Sequence, residues 1–189
     1  MKKKYKITYN SPVILTFAAI SLIALILNYI TLGFTNNLLF STYRGSLLNP
    51  LYYIRLFTHV LGHANFSHFA GNMMMFLLLG PALEEKYGSK KILFMIMATA
   101  FVTGILNSLF FSSGLLGASG IVFMFILLTS LTSFKEKEIP ITFIIVLALY
   151  LGQEIFNGII SKDNISQFAH IIGGFAGAFF GFFDKNVKK

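Results

Sequence analysis

The sequence predicts an all-α fold, a polytopic membrane protein built from six transmembrane helices. Three observations carry this expectation. Of 189 residues, 56% are hydrophobic and only 12% are charged, against about 25% charged residues in soluble domains. The apolar residues gather into long runs, several of them near the ~20 residues that a ~30 Å hydrocarbon layer requires. The basic residues also sort by side once six spans are threaded. Lys2, Lys3, Lys4, Lys6, Lys86, Lys90, Lys91, Lys135, Lys137, Lys185, Lys188 and Lys189 fall on the side of the termini, leaving only Arg44, Arg55 and Lys162 opposite. Such asymmetry marks the cytoplasmic side and accounts for the net charge of +8 without nucleic acid. Residues 1–12 and 185–189 are then cytoplasmic segments flanking a membrane domain over residues 13–184. The absence of cysteine excludes disulfides, thiol nucleophiles and cysteine-type zinc sites.

The first span runs from Val13 to about Leu32, after Met1-Lys-Lys-Lys-Tyr-Lys6. Basic residues before an apolar run also describe a secretory signal, but the run is too long and no small-x-small cleavage site follows it. Gly33 to Arg55 mixes Asn36, Asn37, Asn49 and Pro50 with Leu, Phe and Tyr. It reads as an interfacial segment anchored by Tyr43, Tyr52 and Tyr53. Five further spans are expected over Ser67–Leu83, Ile92–Phe111, Ser119–Phe134, Ile139–Phe156 and Gln167–Phe183.

Depth converts this topology into chemistry. Counted outward from Phe134, Ser119 lies ~22 Å above the inner boundary, and His170, counted from Phe183, lies ~20 Å above it. A serine and a histidine thus share one level below the outer surface, and ionisable groups inside spans are functional candidates by default. The last span carries Ala169, Gly173, Gly177 and Gly181 in one row and His170, Gly174 and Ala178 in the next. Small-residue ridges let helix backbones approach closely in lipid, which would bring the imidazole to the Ser119 hydroxyl. His68 and Asn72 are four apart and share a helical face. Together with the Ser119 N–H at a helix start, they could form an oxyanion hole. His59, His63 and His68 offer a zinc reading, but no carboxylate or cysteine accompanies them. The preferred reading has His59 and His63 bonding nearby carbonyls to fix the loop.

These residues resemble the rhomboid intramembrane serine proteases over nearly the whole chain from Arg55 to Asp184. Gly117-Ala118-Ser119-Gly120 matches the family's G-x-S-G nucleophile motif, and His68 with Asn72 matches its H-x-x-x-N. Ala169-His170 with Gly173 and Gly177 matches its sixth-helix histidine and glycine packing, and Glu84 stands where the family commonly has a structural glutamate. The resemblance implies a six-helix rhomboid-like bundle whose Ser-His dyad opens to the outside through a hydrated cavity, with no cofactor or metal. Ser119 would be the nucleophile, His170 the general base and then acid, and His68 and Asn72 the oxyanion donors. Residues 33–55 resemble the family's first loop, and the fifth span with residues 157–166 resembles its substrate gate and cap. The expected partners are transmembrane protein substrates and the lipid bilayer, in the plasma membrane of a bacterium.

Two positions depart from the family pattern. Phe123 replaces a tyrosine packed on the catalytic histidine, and Ile54-Arg55 replaces Trp-Arg. Glu154 and Asp163 face outward and read as solvated acids. The competing expectations are a non-catalytic rhomboid-like protein that binds transmembrane helices, and a small transporter or channel. The latter would need paired intramembrane charges or inverted repeats, which the sequence lacks.

Overall fold

A computed structural model describes residues 8–131, 139–160 and 164–183, apart from the side chains of residues 150, 151, 153–160, 164 and 165. The chain is helical: α1 Pro12–Ile30, α2 Phe34–Leu39, α3 Pro50–Thr58, a 3₁₀ turn His59–Leu61, α4 Phe66–Tyr87, α5 Ser89–Phe110, α6 Ser119–Ser130, α7 Ile141–Ile160 and α8 Asn164–Phe183. The sole pairing of extended backbone among the described residues is a two-bond bridge between Thr42 and Leu115.

Among the described residues four helices, α1, α4, α5 and the Ser166–Phe183 part of α8, are long and apolar enough to cross a membrane. The expected count of six is not confirmed by the length and composition of the described residues, which exclude part of α7. α6 has only 12 residues, or ~18 Å of rise, against the 16-residue span expected from the apolar run. Residues 132–138, with Lys135 and Lys137, lie outside the described residues, as do Lys2 to Lys6 and the tail from residue 184.

Each start and stop has a local cause. Pro12 opens α1, where its missing N–H belongs to the unsatisfied first turn. α1 ends at Ile30, short of Leu32, because Leu32 and Gly33 take positive φ values of 50° and 93°. Asn65 caps α4 by accepting from the His68 N–H at 2.9 Å. Glu84, buried at the far end of α4, receives the Val13 and Ile14 N–H groups at 3.1 and 3.0 Å and the Ser89 hydroxyl at 2.6 Å. One carboxylate thus caps α1 and ties it to the α4–α5 junction.

In lipid, close packing and polar ties hold helices together, since burial of apolar surface gains little there. Gly80 lies directly against the Ile14 side chain, and Phe76 stacks between Phe17 and Phe125 at 4.5 and 5.1 Å, linking α1, α4 and α6. The most extensive helix pair is α6 with α8. A methyl group on Gly173 or Gly177 would overlap the backbone carbonyls of Gly120 or Met124, and one on Gly181 would strike Leu131. The glycine row therefore makes a backbone-to-backbone seam.

Residues 33–55 form a folded brace. Tyr52 is buried and its hydroxyl pairs with Ser108 of α5 at 2.8 Å, so it is a tie to the core and not an interfacial anchor. Tyr53 is exposed, and its hydroxyl donates to the Leu47 carbonyl at 3.0 Å. Arg55 is buried; its guanidinium donates to the Tyr43 hydroxyl at 2.6 Å and lies 4.3 Å from the centre of that ring. Tyr43 in turn donates to the Asn37 carbonyl, and Arg44 reaches the Ser108 and Leu109 carbonyls at the end of α5.

Candidate active site

Ser119 stands in the first turn of α6, where N–H groups have no acceptor within the helix. The turn before it is held from three directions. Leu115 exchanges two backbone hydrogen bonds with Thr42, at 2.9 and 2.8 Å. The Asn107 amide of α5 donates to the Thr42 and Ser113 carbonyls, both at 3.2 Å. The Gly117 N–H donates to the His59 carbonyl at 2.9 Å. Gly117 has φ +124°, a conformation that side-chain-bearing residues rarely adopt, and an added Cβ would sit 2.8 Å from His68 Nε2. Its Asn72 Nδ2 neighbour would be 3.6 Å away. Glycine is needed here for both backbone shape and space, so that the serine turn can settle onto His68 and Asn72.

One cavity of about 370 Å³ brings together Ser119, His170, His68 and Asn72, with Phe123 and Leu116 among its other walls. The depth count from Phe134 relied on a longer α6 than the one observed, but the helix seam aligns the two levels independently. Gly120 packs at the Ala169 carbonyl, which places the adjoining residues Ser119 and His170 at one crossing of α6 and α8. The Phe123 and His170 rings are 4.3 Å apart at 38°, so α6 supplies both the serine and a platform for the imidazole one turn along.

His68 and Asn72 share one face of α4. The His68 Nδ1 accepts a long 3.5 Å bond from the Ala64 N–H, which leaves the proton on Nε2, the nitrogen beside Gly117. Asn72 is buried, and its Nδ2 has no hydrogen-bond partner within the described residues. A buried amide donor left unsatisfied costs about 1–3 kcal/mol unless something accepts from it. Two donors, His68 Nε2 and Asn72 Nδ2, therefore stand beside the serine turn, able to face a developing negative oxygen.

The other two histidines are bound to backbone. His59 Nδ1 lies 3.1 Å from the Arg55 carbonyl and its Nε2 lies 3.3 Å from the Thr103 hydroxyl, which itself donates to the Thr99 carbonyl at 2.8 Å. His63 donates from Nδ1 to the Leu61 carbonyl at 3.1 Å, and its ring meets His68 edge-on at 5.1 Å. Burial pulls both below the usual imidazole range to about 4, with the neighbouring His68 a second cause for His63. Among the described residues no three His, Asp or Glu side chains gather into a group that could hold a metal. The Glu154 side chain and Asp163 lie outside the described residues, as do residues 161–163 of the expected cap.

Sequence reasoning missed the supports of the site: Thr42, Leu115, Asn107 and the His59 carbonyl. A signal existed for Asn107, since an amide inside an apolar run must find partners. The Thr42–Leu115 bridge leaves no such mark, because it uses backbone groups only.

Comparison with known proteins bears on the family. The family model described as Rhomboid domain matches residues 50–186. The chain is 32% identical over 133 residues to RHOMBOID-like protein 1 of Arabidopsis thaliana, covering 66% of this chain and 32% of that one. It is 22% identical over 138 residues to Rhomboid protease GlpG of Haemophilus influenzae, covering 71% of each. With Rhomboid protease GluP of Bacillus subtilis it shares 28% over 172 residues, covering 86% of this chain and 33% of that one. The chain thus spans about a third of the length of the plant and Bacillus relatives.

Proposed function

Because the chain belongs to the rhomboid family, we propose that it is an intramembrane serine endopeptidase that cleaves transmembrane segments near the outer membrane boundary. The observation that carries this reading is the single cavity lined by Ser119, His170, His68 and Asn72. The Ser119 hydroxyl attacks the scissile carbonyl carbon while His170 takes its proton. The carbonyl oxygen becomes an oxyanion that accepts from His68 Nε2, Asn72 Nδ2 and the Ser119 N–H. His170 then gives its proton to the departing amine, and the acyl-enzyme forms. Water, deprotonated by His170, attacks the ester; collapse releases the new carboxyl group and returns the proton to Ser119.

In this reading α1, α4, α5, α6, α7 and α8 all cross the bilayer, with both termini cytoplasmic in the plasma membrane of a bacterium. The 12 residues of α6 rise only ~18 Å against a ~30 Å hydrocarbon layer, which supports a first turn that starts below the outer surface. Substrates are transmembrane proteins whose helix unwinds readily, since a fully hydrogen-bonded helix hides its carbonyls.

The test is cleavage of a reference transmembrane substrate by protein purified in detergent. Wild type is expected to cleave, and Ser119→Ala and His170→Ala to show only background. Equal rates in all three would defeat the proposal. A second reading, a non-catalytic rhomboid-like protein that binds transmembrane helices, is favoured by nothing in the site, which keeps both serine and histidine. Labelling by a fluorophosphonate that depends on Ser119 and His170 separates the two.

A further inference from the structure

A second cavity, of about 390 Å³, lies between α1 and α5, away from the Ser119 site. This is within the ~300–1,000 Å³ range of small-molecule sites. Its walls include Thr16 and Ile20 of α1 and Leu93 and Met97 of α5, with Val60 and Leu61 of the 3₁₀ turn at one end, and the lining is almost wholly apolar. The cavity has a structural cause. The 3₁₀ turn touches both α1 and α5 and stands between them. His59 of that turn meets Thr103 and Gly104, so the turn separates the two helices one to two turns further along α5 than Met97. Among the described residues, only Phe57 of α3 joins α1, α5 and the 3₁₀ turn in lining the cavity.

Both walls belong to helices long enough to cross a membrane. A protein helix ~10–12 Å across does not fit a space of this size between them, whereas a single hydrocarbon chain does. A charge stands on the helix face that supplies one wall. Lys90 is three residues before Leu93 and seven before Met97, on the same stripe of α5. Its side chain is exposed. The nearest buried carboxylate, Glu84, already accepts three hydrogen bonds.

We propose that this cavity binds one acyl chain of an anionic phospholipid, with the headgroup phosphate at Lys90. The chain fills the gap beneath Val60 and Leu61 and so supports the turn whose His59 carbonyl holds Gly117. The proposal concerns lipid binding and does not depend on proteolysis.

Native mass spectrometry of the full chain tests it, after release from nanodiscs of equal phosphatidylglycerol and phosphatidylcholine. One retained phosphatidylglycerol per chain is expected. Met97→Trp and the milder Leu93→Phe should fill the cavity and lose it, while Phe94→Trp, at an exposed position that meets Phe180 of α8, should retain it. Circular dichroism identifies any variant that does not fold, and a folded one of the two fillers suffices. Lys90→Gln should keep a bound lipid but lose about fivefold of the preference for phosphatidylglycerol. No retained lipid in wild type, or equal retention in wild type and a folded filler, overturns the site. Equal retention of the two lipids by wild type overturns the assignment of Lys90 to the phosphate.

Discussion

Gly117 is the residue on which the serine turn depends most narrowly. Its φ of +124° and its 2.8 Å clearance from His68 Nε2 both forbid a side chain. Gly117→Ala is expected to lower the cleavage rate by ~10²-fold or more by displacing an oxyanion donor, with a small change in unfolding temperature. Asn72→Ala should lower it by ~10²–10³-fold while leaving substrate affinity near its original value, because the donor acts on charge formed in the transition state. Steady-state kinetics of both variants check the split. Phe123 shows how a departure from the family pattern is absorbed: its ring keeps the 4.3 Å contact with His170 without a hydroxyl. Phe123→Ala should therefore reduce the rate, and Phe123→Leu should restore part of it through bulk alone.

At the level of elements, two joints carry the fold. Glu84 caps α1 with two bonds to N–H groups and fastens Ser89. Glu84→Gln replaces one acceptor by a donor facing a donor and should destabilise the protein by about 2 kcal/mol, read from thermal unfolding in detergent. The second joint is the turn holding His59 and His63, both kept neutral by burial. The unfolded chain binds protons below the ordinary value of 6.5, whereas the folded one does so only near about 4. Stability from this turn is full above pH 6.5 and is lost as pH falls toward 4. Unfolding temperature measured across that window should drop, and His63→Phe, which keeps the ring contacts but cannot titrate, should drop less steeply. Helix existence and order were readable from apolar runs. The brace was not, because residues 33–55 have mixed polarity, and Tyr52 and Arg55 gave no sign that they would be buried.

For the whole molecule, α6 and α8 meet along glycine, and the serine level is set by that seam. Widening it with Gly173→Val should abolish cleavage and lower stability together, since the added methyl groups meet the Gly120 carbonyl. A backbone tie outside the bundle acts differently. Thr42→Pro removes one bond of the bridge to Leu115, and should reduce activity more than it reduces unfolding temperature, because the bridge restrains only the turn before Ser119. Cysteine accessibility or reporter fusions at both ends check the membrane orientation: both termini should report the cytoplasmic side.

What the sequence by itself determined is the membrane as solvent, the helical class, and the family, through Gly117-Ala118-Ser119-Gly120, His68, Asn72 and His170. Hydrophobicity, helical spacing and short motifs are local properties and are written directly in the residues. Only the tertiary structure decided that one cavity gathers these side chains, that Gly117 must lack a Cβ because of His68, and that Thr42, Asn107 and the His59 carbonyl hold the serine turn. These depend on contacts between segments far apart in the chain, such as Thr42 with Leu115 and with Asn107, several of them through backbone groups common to every residue, so no side chain announces them.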